Sequence, residues 1–202
     1  MTITRGQPWG HPGSLPDHGV VVASDGEAQA VVTEARRSGR PVPPLGLIGG
    51  DLCRTLGGRG DRGRLHSGEA MTFPVDLGVV LIDGRLHWFV SHLLAHSASW
   101  TRVFVAMNGQ WRGRWNLGPR AHPNDGLLDC YDARFEPGDL PKVHGRLRLG
   151  SHLPHPRIAE RRARAMQVNF PRPLPVWLDG QRAGRAGNLS VRVEPDALTV
   201  VI

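Results

Sequence analysis

The stretch Val79-Val80-Leu81-Ile82-Asp83-Gly84-Arg85-Leu86-His87-Trp88-Phe89-Val90 decides the fold class. A run of β-branched and apolar residues, an Asp-Gly pair and a second run with apolar residues make a β-hairpin closed by a two-residue turn. The same grammar continues towards the C-terminus. Val103–Met107 is another strand, and Leu174–Leu178 leads into a second Asp-Gly at Asp179-Gly180. Leu189–Val193, a turn at Glu194-Pro195-Asp196 and a last strand over Leu198–Ile202 complete a set of antiparallel strands. Residues 71–202 therefore read as a β-sandwich or barrel-like unit.

Upstream the pattern changes. Residues 59–70 are polar and rich in Arg and Gly, and read as a linker. Before them, Gly19-Val20-Val21-Val22-Ala23 is a short buried strand, and Ala28, Val31, Val32 and Ala35 recur at helical spacing. Leu45-Gly46-Leu47-Ile48 is a second short strand, and a short helix starts at Gly49-Gly50-Asp51. Residues 19–58 are thus a strand–helix–strand–helix piece of an α/β layer, too small to be a complete nucleotide-binding domain. Residues 1–18, rich in Gly, Pro and His, read as an irregular arm. The fold class is α+β: a truncated α/β segment followed by an antiparallel β-sandwich. No repeat occurs at a fixed period.

Composition bounds the function. The chain has 202 residues, 40% of them hydrophobic and 21% charged, which supports a packed core and argues against disorder. Gly and Pro, 26 and 17 residues, are too numerous for a helical bundle. The formal charge is +7, carried almost wholly by Arg, since Lys142 is the only lysine. Such a surplus favours anionic partners. However, there is no nucleic-acid motif and no interleaving of aromatics with the Arg cluster, so nucleic acid is not the expected partner. No apolar run is long enough to span a membrane. The N-terminal residues lack a signal sequence, and Cys53 and Cys130 form no CxxC. Reduced thiols in a cytoplasmic protein are expected.

Several segments carry possible chemistry. Ala23-Ser24-Asp25-Gly26-Glu27 joins a strand to a helix start, where free N–H groups and the helix dipole favour an anion. Ser24-x-x-Glu27 is also a capping box, which would satisfy those donors internally and set Glu27 against a phosphate. That reading outweighs the phosphate loop. Gly49-Gly50-Asp51 repeats the pattern, with Asp51 a serviceable helix cap by itself. Pro123-Asn124-Asp125-Gly126-Leu127-Leu128-Asp129 sets two carboxylates four apart, able to hold a hard cation or to form an ordinary turn. His92 and His96, and His152 and His155, lack the partners of a metal site. Arg157, Arg161, Arg162 and Arg164 are the densest basic cluster and read as a solvated face, with lipid headgroups as the alternative. Of Trp88, Trp100, Trp111, Trp115 and Trp177, most are expected in the core, with one or two at a cleft rim able to contact an apolar ligand.

Taken in order, these segments resemble the diacylglycerol kinase and sphingosine kinase superfamily, including its bacterial lipid kinases. The family's GGDGT falls on Ala23–Glu27, and its LGI-P-GTGND-AR-LG on Leu45–Ile48 and Gly49–Gly57. Its PVDLG falls on Pro74–Gly78, its P-x-DGLLD on Pro123–Asp129 and its PV-x-x-DGE on Pro175–Gln181. The closing PGAL-V falls on Pro195–Val200. The resemblance implies an α/β nucleotide domain, a β-sandwich and a cleft between them. It also implies ATP and Mg²⁺ as cofactors and a lipid or phosphorylated small molecule as ligand. Asp25, Gly26, Gly49, Gly50 and Asp51 would lie at the nucleotide, and Asp125 and Asp129 at a cation. The departures fall on the chemistry. The earlier strands of the α/β domain have no counterpart, the leading glycines of GGDGT are gone, and GTGND is shortened. The DGE carboxylate, which the resemblance makes the general base, is Gln181. An amide keeps the shape of a carboxylate but accepts no proton at neutral pH. The reading is therefore a lipid-kinase-like protein degenerate in catalysis. A homodimer that completes the pocket and peripheral contact with a membrane are both compatible with it. The competing class is a non-enzymatic basic module for nucleic acid or an acidic partner.

Overall fold

The computed structural model describes residues 9–202, so residues 1–8 of the expected arm lie outside the described residues. The strands are β1 (His11–Pro12), β2 (Val20–Val22), β3 (Leu45–Leu47), β4 (Met71–Ile82), β5 (Arg85–Phe89), β6 (His92–His96), β7 (Arg102–Met107), β8 (Trp111–Arg112), β9 (Trp115–Asn116), β10 (Leu128–Arg134), β11 (Ile158–Ala163), β12 (Ala165–Leu178) and β13 (Gln181–Val201). The helices are α1 (Asp25–Arg37), α2 (Gly50–Thr55) and α3 (Leu140–Leu147).

Eleven strands join in one sheet, with β1-β4-β13-β12-β6-β7-β10-β11 as its main path and β8–β9 as a separate hairpin. The long strands β4, β12 and β13 are its spine. β4 and β5 pair in antiparallel register with Ile82 opposite Arg85, across the Asp83-Gly84 turn, where both residues have positive φ. The second Asp-Gly, at Asp179-Gly180, closes β12 onto β13 in the same way. The expected turn at Glu194-Pro195-Asp196 is instead a bulge within a single 21-residue strand. β4 carries the pairing through, with the register shifting between Glu194 and Leu198.

β2 and β3 are parallel to one another, and β3 is parallel to the end of β13. α1 begins at the Ser24 cap and ends at Ser38-Gly39, with acidic residues in its first turn and basic ones in its last, as the helix dipole favours. The two helices, β2 and β3 share a core of Val22, Val32, Leu45, Leu52, Leu77 and Val200. Residues 59–70, read as a linker, are packed down: Leu65 is fully buried with Leu15 and Val201, and its carbonyl accepts the Leu15 N–H at 2.7 Å.

The sandwich interior is filled by Val80, Phe89, Leu93, Phe104, Leu128 and Leu178. Because strand side chains alternate, β6, β7 and β10 send their other residues to the opposite face. Leu94, Val103, Val105, Met107, Tyr131 and Ala133 form a second apolar surface there, and this surface positions the site below.

Candidate functional site

Five local structures converge on one cleft: the starts of α1 and α2, the β5–β6 connection, the β8–β9 hairpin and the Asp179-Gly180 turn. Asp25, the first residue of α1, is buried. Its carboxylate accepts the backbone N–H groups of Asp51 at 2.7 Å and Leu52 at 3.1 Å. It therefore caps α2, whose own N-cap, Gly49, has no side chain to do so. Burial raises the Asp25 pKa to about 6 despite those two donors.

The glycines serve this approach. A Cβ on Gly49 would overlap the Ala23 carbonyl oxygen, and one on Gly50 the Asp25 carboxylate. Gly50 also has φ +95°, which favours glycine. The start of α1 is closed by its own capping box: Ser24 Oγ accepts the Glu27 N–H at 3.2 Å, and Glu27 accepts the Ala23 N–H at 2.8 Å. Gln181, at the start of β13, lies against this turn, because a Cβ on Gly26 would sit 3.0 Å from its Nε2.

Asp51 accepts the Gly113 N–H at 2.6 Å, which ties the β8–β9 hairpin over α2. Arg54 stacks on Trp111, 3.6 Å from the ring centroid, and donates to the Gly113 carbonyl. Burial raises the Asp51 pKa, while Gly113, Arg112 and Arg54 oppose the shift. His92 Nδ1 lies 3.9 Å from Asp51 Oδ2. Burial, helped by the charge of Arg112, lowers the His92 pKa to about 3, so the ring is neutral. Asp25, Asp51 and His92 offer ligand atoms within 4.8 Å of one another and are the donor set that could hold a divalent cation.

Asp179 is the residue that the sequence offers only as a turn former. It is buried and accepts the N–H groups of Val90, Ser91 and His92 at 2.7, 2.9 and 3.0 Å. Burial, with the Asp25 charge adding to it, pushes its pKa well above the ordinary carboxylate value. A sign was available in the sequence, since Asp in an Asp-Gly turn tolerates the left-handed conformation and offers a carboxylate to nearby N–H groups.

The open volume of the cleft is about 480 Å³, lined by Asp51, His92, Arg112, Arg114, Trp115 and Asp179. Arg112 and Trp115 also line a second, apolar cavity of about 400 Å³. That cavity lies on the outer face of β6, β7 and β10, with Leu140, Val143 and Leu147 of α3 along it. Trp115 is one of the tryptophans that the sequence offers for a cleft rim, whereas nothing in the sequence pointed to Arg112, which stands in no motif.

Asp125 and Asp129 lie elsewhere, in the loop before β10 and on β10 itself. Both pair with Arg162, whose Nε is 2.8 Å from Asp129 and whose Nη2 bonds Asp125. Nearby, Asp76 is buried, accepts the Gly126 N–H at 2.7 Å and the Asp196 N–H at 2.9 Å, and is raised by burial to about 6. Arg157 pairs with Glu136 and Asp139, so the basic cluster is partly neutralised by ion pairs. His92 and His96 stand on one strand, and His96 stacks between Trp100 and Trp177 instead of sharing a ligand.

Residues 72–202 match the family described as the YegS C-terminal NAD kinase beta sandwich-like domain. No curated protein matches the chain. Among solved structures, a protein assigned as a diacylglycerol kinase from Bacillus anthracis str. Sterne superposes with a TM-score of 0.69 at 14% identity, covering 91% of this chain and 77% of that one. A second structure so assigned, from the same organism, gives 0.67 at 16% identity over 91% and 77%. A third, of a diacylglycerol kinase from that organism, gives 0.61 at 14% identity over 91% and 75%. No helix among the described residues is long and apolar enough to cross a membrane.

Proposed function

From the chain's membership of the YegS C-terminal NAD kinase beta sandwich-like family, we propose that it is a lipid-kinase-like protein that binds a lipid and does not transfer phosphoryl groups from ATP. The observation that carries this is the apolar cavity of about 400 Å³ opening beside the polar cleft and sharing Arg112 and Trp115 with it. A cavity walled by aliphatic and aromatic groups with a charged group at one end matches an amphiphile. Residues 19–58 are read as the remnant of an α/β nucleotide domain.

The residues present do not fit a nucleotide. A phosphate needs free N–H groups at a helix start. Here Ser24 takes the Glu27 N–H and sets the Glu27 carboxylate against an anion at the start of α1, and Asp25 takes the Asp51 and Leu52 N–H groups at the start of α2. Asp125 and Asp129 do not fit Mg²⁺, because the Arg162 guanidinium already stands between them. By the resemblance, Gln181 stands where the lipid kinases carry their base, and an amide accepts no proton, a loss of about 10²–10⁴-fold if it were the only change. The basic-module reading is weakened by the ion pairs of Arg157 and Arg162.

Calorimetry with ATP and a phosphorylation assay on the wild type and on Gln181→Glu test this. Neither protein should bind ATP or phosphorylate lipid, while quenching of tryptophan fluorescence should report lipid binding by both. Phosphorylation of a lipid by the unmodified chain would overturn the proposal.

A further inference from the structure

We infer that the apolar cavity takes a long-chain fatty acid, its carboxylate received by Arg112 and Trp115 at the wall shared with the cleft. This inference rests on the lipid-binding reading and names the ligand class.

The lining is almost wholly apolar, with Leu94, Val103, Val105, Phe135 and Val143 among its residues. Against that background three polar atoms stand out. Among the described residues, Arg112 Nε, Trp115 Nε1 and His152 Nδ1 are buried without a hydrogen-bond partner, and all three residues line this cavity. His152 is only 5% exposed. A donor buried without an acceptor costs about 1–3 kcal/mol, so such groups are normally paired. The indole N–H and the guanidinium N–H can only donate. What they lack is an acceptor, and the Arg112 charge favours an anionic one.

The head must also be small. Two donors match the two oxygens of a carboxylate. A phosphate head would project into the cleft, where Asp51 and Asp179 stand. The guanidinium of Arg112 lies over the Trp115 ring, 5.5 Å from its centroid, so both residues stand on the same part of the wall. Burial lowers the His152 pKa, a backbone hydrogen bond to Leu117 opposing it, and the unpartnered Nδ1 can accept or donate according to tautomer. A cavity of about 400 Å³ accommodates one acyl chain, with the apolar residues of α3 along the tail.

The test is displacement of a fluorescent fatty acid from the delipidated full chain by palmitate, methyl palmitate, lysophosphatidate and a diacylglycerol. Palmitate should compete at least about tenfold better than its methyl ester, the loss expected from removing one charged hydrogen-bonding partner. Trp115→Phe and Arg112→Gln should each weaken palmitate about tenfold and the ester, whose carbonyl is an uncharged acceptor, by clearly less. Equal affinity for acid and ester, or tighter binding of lysophosphatidate, would overturn the inference. Should either variant fail to fold by circular dichroism, the acid-to-ester ratio of the wild type decides alone. Binding of diacylglycerol without palmitate would overturn this inference and leave the lipid-binding reading standing. Binding of no lipid at all would remove both.

Discussion

The polar cleft and the apolar cavity share Arg112 and Trp115, yet treat their polar atoms in opposite ways. In the cleft, the carboxylates of Asp25, Asp51 and Asp179 all accept backbone N–H groups of the chain. In the cavity, Arg112 Nε, Trp115 Nε1 and His152 Nδ1 have no partner among the described residues. Hydrogen bonds already made inside the chain hold the fold together, and open ones on residues that line a cavity are available to a ligand there, unlike the unpartnered side-chain oxygen of Asn108, which lines neither opening. The cleft therefore reads as structure, and the cavity as the place where something binds.

The sharpest way to break that contrast is Asp179→Leu. Three buried N–H groups would lose their acceptor at once, each at about 1–3 kcal/mol, so urea denaturation should show a loss of at least about 3 kcal/mol. Asp179→Asn keeps one acceptor oxygen and should lose less. A change below about 1 kcal/mol for the leucine variant would mean that this carboxylate is not structural.

A smaller effect separates two glycines of the cleft. A Cβ on Gly49 overlaps backbone, the Ala23 carbonyl oxygen, whereas one on Gly26 has as its nearest atoms Nε2 and Cγ of the flexible Gln181 side chain, at 3.0 and 3.3 Å, with the Asp179 carbonyl oxygen at 3.6 Å. Gly49→Ala should destabilise by about 1–3 kcal/mol, as overpacking does. Gly26→Ala should stay within about 0.5 kcal/mol of other mild helix-start changes. Equal effects in thermal unfolding would show that the two loops are not in tight contact.

Buried groups of the cleft, with Asp76 beside the Asp125 loop, also predict a pH slope. Asp25 and Asp76 have folded pKa values raised to about 6, against 3.8 for the ordinary group. Between those values the folded chain holds protons that the unfolded chain has released, so these two groups make stability fall as pH rises. His92, lowered from 6.5 to about 3, works the other way, because the unfolded chain holds the proton across that range. His92→Gln removes the rising contribution. The slope of unfolding free energy over pH 4–6 should become more negative, by up to about 1.4 kcal/mol per pH unit. An unchanged slope would show that His92 is not held neutral by burial.

What could be read from the sequence was local. Ser24 and Glu27 announced the start of α1, and the two Asp-Gly pairs announced their hairpins, because each feature is decided by residues a few positions apart. What could not be read was decided by pairing at a distance. Glu194-Pro195-Asp196 has the composition of a turn, but β4 alongside carries the strand through, and Asp76 accepts the Asp196 N–H to fix the bulge. The cavity has no signature, because its wall is assembled from strands and a helix spread over some sixty residues, from Leu94 to Ile158. The cleft was half legible. The motifs marked Asp25, Asp51, Gly49 and Gly50, but their spacing could not say that the aspartate caps α2 and that the glycines make room for it.

The smallest expected effect concerns the other carboxylate cluster. Asp125 and Asp129 were legible as a cation site, and the structure supplies the cation as Arg162, from the neighbouring strand β11. Breaking a fully buried ion pair costs several kcal/mol, but the Arg162 side chain is 44% exposed, and water weakens the pair. Arg162→Leu should therefore destabilise by about 1–2 kcal/mol. The variant, unlike the wild type, should regain stability in millimolar Mg²⁺ or Ca²⁺: a free concentration about tenfold above the dissociation constant returns about 1.4 kcal/mol. Stabilisation of the wild type by the same ions would show that the carboxylates retain a site that the guanidinium does not fill. If neither protein responds, the two carboxylates form no metal site even when the guanidinium is removed, and their role is to hold Arg162.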